Sequence, residues 1–317
     1  MNKLRKVGLT ALAASLATVS SVTAGELSVT GGASVGYYQQ EHANSSGWYT
    51  SDKINFLGSG DLGNGMSVTV GMNIDESDRS GDSTEIFDEK YVTVSSDLGS
   101  LTLHGNAGSS VIAATDDKMP TVYEETWYAA TGPGKGSSKD NFFYYSSAGA
   151  FDGFTLDASY APGGNGDNAG STEAGVTFSA IDGLTVGVAM GTDKGAINNE
   201  VDSTNIYATY AMGPMTFGVQ RNDNDAQTVS TDTEFTAYAL SYAVSDDLTV
   251  SVAKSEVDYE TGYAGGTADQ EATAIGASYT MGSTSIAIQT FDIDNNNGGT
   301  AAKDSYRAWE LNLAFAF

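Results

Sequence analysis

The sequence is poor in residue types that several common protein classes require. Its 317 residues include no cysteine, which excludes a disulfide scaffold, a thiolate nucleophile and a cysteine-bearing zinc or iron–sulfur site. Basic residues are also scarce, because 14 Lys and Arg stand against 40 Asp and Glu and leave a formal charge of −26. A chain this acidic repels phosphates, so we expect cations or uncharged molecules as partners and no nucleic acid. The 40% hydrophobic content is too high for a disordered acidic chain, so a folded body is expected.

The N-terminus carries a short apolar segment. Three basic residues among the first six precede a run from Val7 to Val22, and a stretch of small residues ends at Ala24. This order is typical of a secretory signal peptide, so we predict that residues 1–24 are removed and that residues 25–317 form one domain. An uncleaved membrane anchor is the alternative, but the run is short for a spanning helix and is interrupted by Thr and Ser. The predicted leader has no acidic residue, so the mature chain is still more acidic.

Beyond the leader, the sequence lacks both long apolar runs and helical periodicity. Alternation with a period of two residues replaces them. Between residues 66 and 75, Met, Val and Ile alternate with Ser, Thr, Gly and Asn, and residues 26–40 and 184–190 repeat the pattern. Each segment predicts a strand with one oily face and one small or polar face.

Turn-forming residues divide the chain at regular intervals. Seven short turns alternate strictly with eight longer stretches rich in Asp, Asn, Gly and Ser. One strand on each side of every connection makes sixteen, and the average spacing suits membrane strands of ~9–11 residues. The short turns are predicted at 61–65, 96–99, 148–153, 180–183, 212–214, 244–247 and 281–283. The long connections are predicted near 41–50, 75–85, 106–140, 162–170, 191–203, 222–233, 255–270 and 293–304.

A sheet of sixteen strands is expected to close, because an open edge cannot exist inside hydrocarbon. The lumen of such a barrel is too wide for side chains to fill, so the oily face must point to lipid and the polar face to water. Aromatic residues beside turns and loops fit interfacial girdles. A soluble acidic β-sandwich or β-helix is the alternative. The predicted lipid-facing residues are Val29, Val68, Val70, Val186, Val188, Leu311 and Leu313, the lumenal ones are Ser28, Thr69 and Asn312, and the girdle residues are Tyr37, Phe56, Tyr242, Tyr279, Trp309 and Phe315.

Three segments resemble the general porins of Gram-negative outer membranes. The stretch from Tyr91 to Leu103 resembles the family hairpin "Y-V-G-L … G-S-L-T-L-G-R", and Asn141 to Tyr160 is similar to "N-S-I-R-Y-D-S … F-x-G-F-x-x-x-x-x-Y". The terminal Phe317 closes an alternating strand, similar to the signal read by outer-membrane assembly machinery. The resemblance implies a sixteen-stranded antiparallel transmembrane β-barrel in the outer membrane, assembled as a homotrimer, with the third long loop folded into the lumen.

The third long loop supplies the predicted constriction. It runs from Asn106 to Asp140, and a connection of that length is usually functional. Residues 116–120 resemble the family's acidic turn before a proline, although Thr121 stands where that motif often has Glu. Acids that only solvate an extracellular loop are the alternative. The predicted constriction residues are Asp116, Asp117, Lys118, Glu124 and Glu125, with Asp117 as the leading one.

General porins set such acids against a wall of arginines, and this chain departs from that pattern at His104-Gly105-Asn106. Candidates for a residual basic wall are chosen because they lie on strands rather than loops. Alternation places Lys53 in the lumen, whereas Lys90 and Arg307 share their alternation with apolar neighbours. The predicted wall residues are Lys53, Lys90, His104, Lys254 and Arg307.

Motifs for catalysis or cofactors are weak. Residues 32–36 match G-x-S-x-G but lie inside a strand, and neither His42 nor His104 has a recognisable Ser or Asp partner. Residues 292–297 begin like a calcium loop, yet the sixth-position Gly is absent and Lys303 holds the twelfth place. We therefore expect no cofactor and only adventitious binding of divalent cations such as Ca²⁺ at acidic loops.

The sequence predicts a porin, not an enzyme: a passive channel for small hydrophilic solutes and ions that prefers cations. Its expected surroundings are outer-membrane lipid. A barrel enzyme, such as a lipase or protease, and a structural or adhesive surface barrel are the alternatives.

Overall fold

The computed structural model describes residues 25–42, 46–75, 89–106, 108–133, 141–163, 170–194, 200–227, 232–260 and 266–317. The predicted leader, residues 1–24, lies outside this part of the chain. The described residues form sixteen strands and two single-turn 3-10 helices, Asn296–Gly298 and Ala302–Asp304. The strands are β1 (Glu26–Gln40), β2 (Gly47–Gly63), β3 (Met66–Asp75), β4 (Lys90–Ser96), β5 (Gly99–Asn106), β6 (Phe142–Ser146), β7 (Phe154–Ala161), β8 (Ser171–Phe178), β9 (Leu184–Lys194), β10 (Glu200–Met212), β11 (Met215–Ala226), β12 (Thr233–Ala243), β13 (Leu248–Tyr259), β14 (Gln270–Met281), β15 (Thr284–Asp294) and β16 (Tyr306–Ala316).

Every strand pairs antiparallel with its neighbours in sequence, and β1 pairs with β16 to close the barrel. At the seam, Phe317 and Gly31 exchange both backbone hydrogen bonds, at 2.8 and 2.9 Å. Closure leaves no unpaired edge, as a barrel in hydrocarbon requires. The predicted sixteen-stranded antiparallel barrel is therefore confirmed. None of the helices in the described part of the chain is long and apolar enough to cross a membrane.

All seven predicted short turns separate consecutive strands at one end of the barrel. The turn between β2 and β3 shows why these residues suit it. Asn64 has φ 55° and Gly65 has φ 77°, and a two-residue hairpin turn with the twist of its strands needs positive φ at both positions. Asn and Gly adopt that conformation with the least strain.

Several strands are longer than a bilayer span requires, whereas β4 to β8 have only 5 to 8 residues. β2 has 17 residues and β1 has 15, against the ~9–11 that cross a membrane. The stretches 191–203, 222–233 and 255–270, predicted as long connections, include several strand residues, because β9, β11 and β13 run to Lys194, Ala226 and Tyr259. Those boundaries were therefore wrong by several residues. Backbone pairing does not require apolar side chains, and strands that extend beyond the apolar band can be polar on both faces.

Alternation separates an outer and an inner face as predicted. Val29 and Val70 are 44% and 40% exposed on the outside, whereas Asn312 is 3% exposed on the inside. The registers keep like faces together, since Val70 lies opposite Val92 and Val35 opposite Leu313. The outer face is an apolar band that suits lipid.

Aromatic side chains flank this band at both ends. Toward the long connections, Tyr37 packs between Trp48 and Trp309, with ring centroids 5.2 and 5.3 Å apart. Toward the short turns, Tyr242 and Tyr279 are exposed on the outer face. These positions match the interfacial girdles of membrane barrels. The predicted Phe56 differs, because it lies inside β2 opposite Val29 and Met72. It belongs to the apolar band.

Candidate pore constriction

Residues 108–133, which follow β5, enter the barrel beside β7, β8 and β10. The Val111 N–H donates to Ser159 Oγ at 3.1 Å, and the Ile112 N–H donates to Glu173 Oε2 at 2.7 Å. The Ile112 carbonyl accepts from Asn205 Nδ2 at 3.0 Å. These wall side chains satisfy backbone groups that would otherwise be buried without a partner. They fix the start of the loop against the wall.

The loop then crosses to β11, β13 and β15. Lys118 N–H donates to Gln220 Oε1 at 2.8 Å, and Val122 N–H donates to Ser251 Oγ at 3.1 Å. Gln289 makes two bonds to Glu124: its Oε1 accepts from the backbone N–H at 3.0 Å, and its Nε2 donates to the carbonyl at 2.8 Å. A carboxamide can mimic a neighbouring strand in this way, because it offers one donor and one acceptor side by side.

The loop leaves along β14 and β16. Gln270 Nε2 donates to the Thr131 carbonyl at 2.7 Å, and the Tyr306 hydroxyl donates to the Ala129 carbonyl. A single segment that makes hydrogen bonds to eight strands around the barrel must pass through the interior. Its partners Ser159, Gln220 and Gln289 therefore mark the inner face.

Apolar side chains fill the space between loop and wall. Trp127 packs edge-on against Phe235 with centroids 4.7 Å apart, and Met119 belongs to the same buried cluster as Phe235 and Val257. The alternation that predicted a polar lumen did not anticipate these residues. They are apolar because the inserted loop covers them, so this part of the lumen is a packed core.

The acids of the loop are mostly withdrawn from bulk water. Burial raises the pKa of Asp117 to about 6; the nearby Glu125 acts in the same direction, and the Met119 N–H and Lys118 oppose it. Burial, together with the carboxylates of Glu125 and Glu310, raises the pKa of Glu124 to about 8. Desolvation disfavours the charged form of a carboxyl group, and neighbouring negative charge adds to that effect. Asp117, Glu124 and Glu125 therefore lie close enough inside the barrel for each charge to affect the others.

A further acid lies on the wall opposite the loop. Glu310 of β16 is fully buried and accepts a hydrogen bond from the Tyr49 hydroxyl. Asn312 Nδ2 also donates to the Tyr49 oxygen at 3.0 Å, and the Tyr123 hydroxyl of the loop lies 3.3 Å away. The sequence analysis missed Glu310. Glu310 lies two residues before Asn312 in the same strand, so the two share a face. Because Asn312 was predicted to face the lumen, this spacing could have identified Glu310.

Two of the predicted wall residues, Lys53 and His104, lie on the inner face as predicted. Lys53 lies opposite Gly32 and Asp75 on the inner face. His104 also points inward, with its ring stacked on Phe142 at 4.7 Å. Their contribution to permeation stays a prediction.

Three predicted wall residues lie on the outer face, so their assignment to the pore wall is wrong. Lys254 Nζ is 2.8 Å from Glu271 Oε2, and Arg307 Nε is 3.3 Å from Asp292 Oδ2. Lys90 lies opposite the outward-facing Met72. At Lys254 and Arg307, the strand extends past the apolar band, where an outward charge meets another charge instead of hydrocarbon.

The described strands therefore leave the lumen with little positive charge. Lys194 and Arg221 also alternate with the outer face and pair there with Glu200 and Glu234. Among Lys and Arg on these strands, only Lys53 has inner alternation. On the loop, the Lys118 ammonium lies 6.0 Å from the centre of the Tyr207 ring. The strand acids with inner alternation include Asp75, Asp157, Glu173, Asp193 and Glu310.

Acids also gather on the outside, near the long connections. Carboxylate oxygens of Glu256, Asp258 and Asp269 lie within 4.8 Å of one another. The calcium-like stretch ends β15 and enters a 3-10 turn, and its Asp292 pairs with Arg307. Adventitious cation binding at such acids stays a prediction.

Comparisons with known proteins agree with this architecture. A family model described as Gram-negative porin matches residues 8–298, and no curated protein matches the chain significantly. Salmonella typhi OmpF in complex with daunomycin aligns with a TM-score of 0.75 at 14% identity, covering 93% of this chain and 98% of that one.

Two further solved structures are similar. The trimer form of OmpT, an outer membrane protein of Vibrio cholerae, aligns with a TM-score of 0.67 at 15% identity, over 93% of this chain and all of that one. A triple mutant of the Rhodopseudomonas blastica porin aligns at 0.68 with 18% identity, over 92% of this chain and all of that one. At these identities, the likeness establishes the fold alone.

Proposed function

Because the chain belongs to the family of Gram-negative porins and lies in the outer membrane, we propose that its barrel is a passive channel for small hydrophilic solutes that prefers cations. Solutes pass by diffusion, and the inserted loop limits their size by narrowing the lumen. The charge of the lining sets the preference between ions. No step of this mechanism requires a cofactor.

The distribution of charge inside the barrel carries the proposal. Glu310 of the wall and Glu124 of the loop are both acidic and lie on facing surfaces, and they interact through space. Where they are ionised, acids on both sides of a constriction attract cations and repel anions at short range, where salt screens little. The acidic outer rim extends the attraction over about one Debye length, ~10 Å at 0.1 M salt.

We propose that three barrels assemble as a homotrimer in outer-membrane lipid. The trimer form of the Vibrio cholerae protein supports this proposal by analogy of fold. Cross-linking of the native outer membrane, followed by electrophoresis without heating, tests it. A species of three chains is expected, and a single-chain species would contradict it.

The reversal potential across a planar bilayer under a KCl gradient tests the cation preference. The native channel should select potassium. Changing Asp116, Asp117, Glu124 and Glu125 together to their amides should lower that selectivity, most strongly at low ionic strength. The matched control removes the same charge from the outer face, with Asp223, Asp225, Glu256 and Asp258 as amides, and should have a smaller effect.

Two outcomes would contradict different parts of the proposal. Anion preference in the native channel would overturn the electrostatic argument. A cation preference that survives the four loop changes would instead show that the loop is not its source. Absence of conductance in the purified barrel would favour the enzyme or adhesion alternatives.

A further inference from the structure

Three adjacent strands present a row of cross-strand partners to the inserted loop. In the registers of β13, β14 and β15, Ser251 lies opposite Gly276, and Gly276 lies opposite Gln289. All three lie on the inner face, where Ser251 is 7% exposed and Gln289 is 1% exposed. We call these three residues the docking row. They meet residues 122–124 of the loop.

Each member of the docking row makes a different contact. Ser251 Oγ accepts from the Val122 N–H, and the Gln289 carboxamide bonds to both the N–H and the carbonyl of Glu124. Gly276 receives the Val122 side chain: a Cβ added there would be 2.5 Å from Val122 Cγ2 and 3.3 Å from Gln289 Oε1. The missing side chain at Gly276 therefore lets Val122 reach the wall and leaves room for the carboxamide.

The same combination occurs a second time, on β11. A Cβ added at Gly218 would be 2.4 Å from Pro120 Cδ of the loop. Two residues further along, the buried Gln220 accepts from the Lys118 N–H and donates to the Asp116 carbonyl. A glycine that receives an apolar loop side chain thus lies beside a glutamine that binds the loop backbone in both places. The shape of the wall matches the loop at two separate points.

These wall residues bind the backbone of the loop. Ser251, Gln220 and Gln289 all bond to N–H groups or carbonyls of the loop. Such bonds do not depend on which side chains the loop carries. The position of the loop and the charge of the loop are therefore fixed by different residues.

We propose that the docking row, together with Gly218 and Gln220, holds the loop against the wall and thereby sets the exclusion size of the channel, whereas the loop acids set its charge preference. This inference rests on the proposed function, because an exclusion size requires a channel. The wall residues are positioning residues. They lie behind the loop and act on solutes only through it.

The direction of the effect follows from the contacts. A methyl group at Gly276 overlaps Val122, so Gly276→Ala should push the loop off the wall and into the lumen. Gln289→Leu removes both bonds to Glu124 with little change in volume. The N–H and carbonyl of Glu124 are costly to leave unpaired, so this part of the loop should move toward water. Both changes should narrow the passage.

A single thiol on the loop reports its position. The chain has no cysteine, and Val122 is 2% exposed, so Val122→Cys should be protected from a water-soluble maleimide in the otherwise native barrel. Adding Gly276→Ala or Gln289→Leu should raise the labelling rate severalfold. Gly218→Ala, at the second contact, serves as a further variant if one of these does not give a heat-modifiable barrel.

Two controls separate docking from other changes in the lumen. Thr102→Val removes the 2.8 Å hydroxyl contact between Thr102 and Thr93, which joins β5 to β4 and not to the loop. The combined amide changes at Asp116, Asp117, Glu124 and Glu125 alter the charge of the loop but keep its backbone bonds. Both controls should leave the thiol of Val122→Cys protected.

Single-channel conductance in KCl, and the swelling of liposomes in neutral sugars of increasing size, measure the passage. Gly276→Ala and Gln289→Leu should lower the conductance and exclude sugars that the native barrel admits. The combined amide variant should keep the native size limit for neutral sugars, although its cation preference is lower. Thr102→Val should match the native barrel in both measurements.

The outcomes are distinguishable. A thiol that stays protected in both Gly276→Ala and Gln289→Leu overturns the docking. An accessible thiol in a barrel with the native size limit overturns the link between docking and exclusion size. Both results leave the proposed function standing. A native barrel that admits neither ions nor sugars overturns the proposed function itself, and the labelling distinguishes that failure from a failure of docking.

Discussion

The ring of Tyr207 on β10 lies directly over Gly187 on β9, and a Cβ added at Gly187 would be 2.2 Å from a ring carbon. The same relationship joins Tyr49 to Gly36, where the distance would be 2.1 Å. In both pairs the residues are cross-strand partners on the inner face. The glycine allows the ring to lie flat along the wall, which keeps its bulk out of the water-filled space.

The first prediction follows from this packing. Gly187→Ala should displace the Tyr207 ring, at a cost of about 1–3 kcal/mol for overpacking. The displaced ring would also disturb the hydroxyl contact between Tyr207 and Thr177, 3.2 Å long. Urea unfolding followed by loss of the heat-modifiable gel band measures the change. Gly47→Ala is the control, because a Cβ there meets nothing within 4 Å; equal effects of the two changes would refute the packing argument.

The second prediction tests the two faces of β3. Val70 is outward and 40% exposed, so Val70→Arg should destabilise the inserted barrel by ~2–4 kcal/mol if it lies near the bilayer midplane. Thr69→Arg places the same side chain one residue away in the lumen and should be tolerated. Folding into lipid vesicles at increasing urea compares them. Equal insertion of both variants would mean that the inward and outward assignment is wrong.

The third prediction concerns the seam. Phe317 exchanges two backbone hydrogen bonds with Gly31. Its ring packs against Gly31 so closely that a Cβ added at Gly31 would be 2.6 Å from a ring carbon. Deleting Phe317 removes both bonds at the closing pair of strands. Insertion into the outer membrane should slow, while export across the inner membrane should be unchanged. A native yield of heat-modifiable barrel after the deletion would contradict this.

Much of the barrel could be predicted because alternation and turn chemistry are local properties. Val70 and Asn312 lie on the expected faces, and the Asn64-Gly65 turn forms where its φ preferences require it. The prediction failed where distant parts of the chain meet. Phe235 is apolar and inward because Trp127, far away in sequence, covers it.

Part of the predicted basic wall was wrong for a related reason. Lys254 and Arg307 lie on strand segments beyond the apolar band, where outward charges find partners in Glu271 and Asp292. A single strand does not reveal where the membrane ends. Glu310 was not predicted because only basic side chains were expected on the wall. Its position two residues from the lumenal Asn312 was sufficient to place it on the inner face.

The last prediction concerns Asp117, whose pKa is raised by burial to about 6. A carboxyl with a raised pKa is neutral below that value and charged above it, so the native protein takes up a proton as the pH falls through about 6. Asp117→Asn mimics the neutral form. Its cation selectivity should match that of the native channel at pH 4.5 and should be lower at pH 7.5, where the native carboxyl is ionised.

The same variant should change stability. Above pH 6 the native protein carries a buried charge at Asp117 and the variant does not, so the free energy of unfolding of the variant should exceed that of the native protein there. Reversal potentials and urea unfolding at the two pH values measure both effects, with Asp193→Asn as the control for the loss of one lumenal charge. A selectivity difference of equal size at pH 4.5 and pH 7.5 would show that Asp117 acts through its shape rather than through its charge.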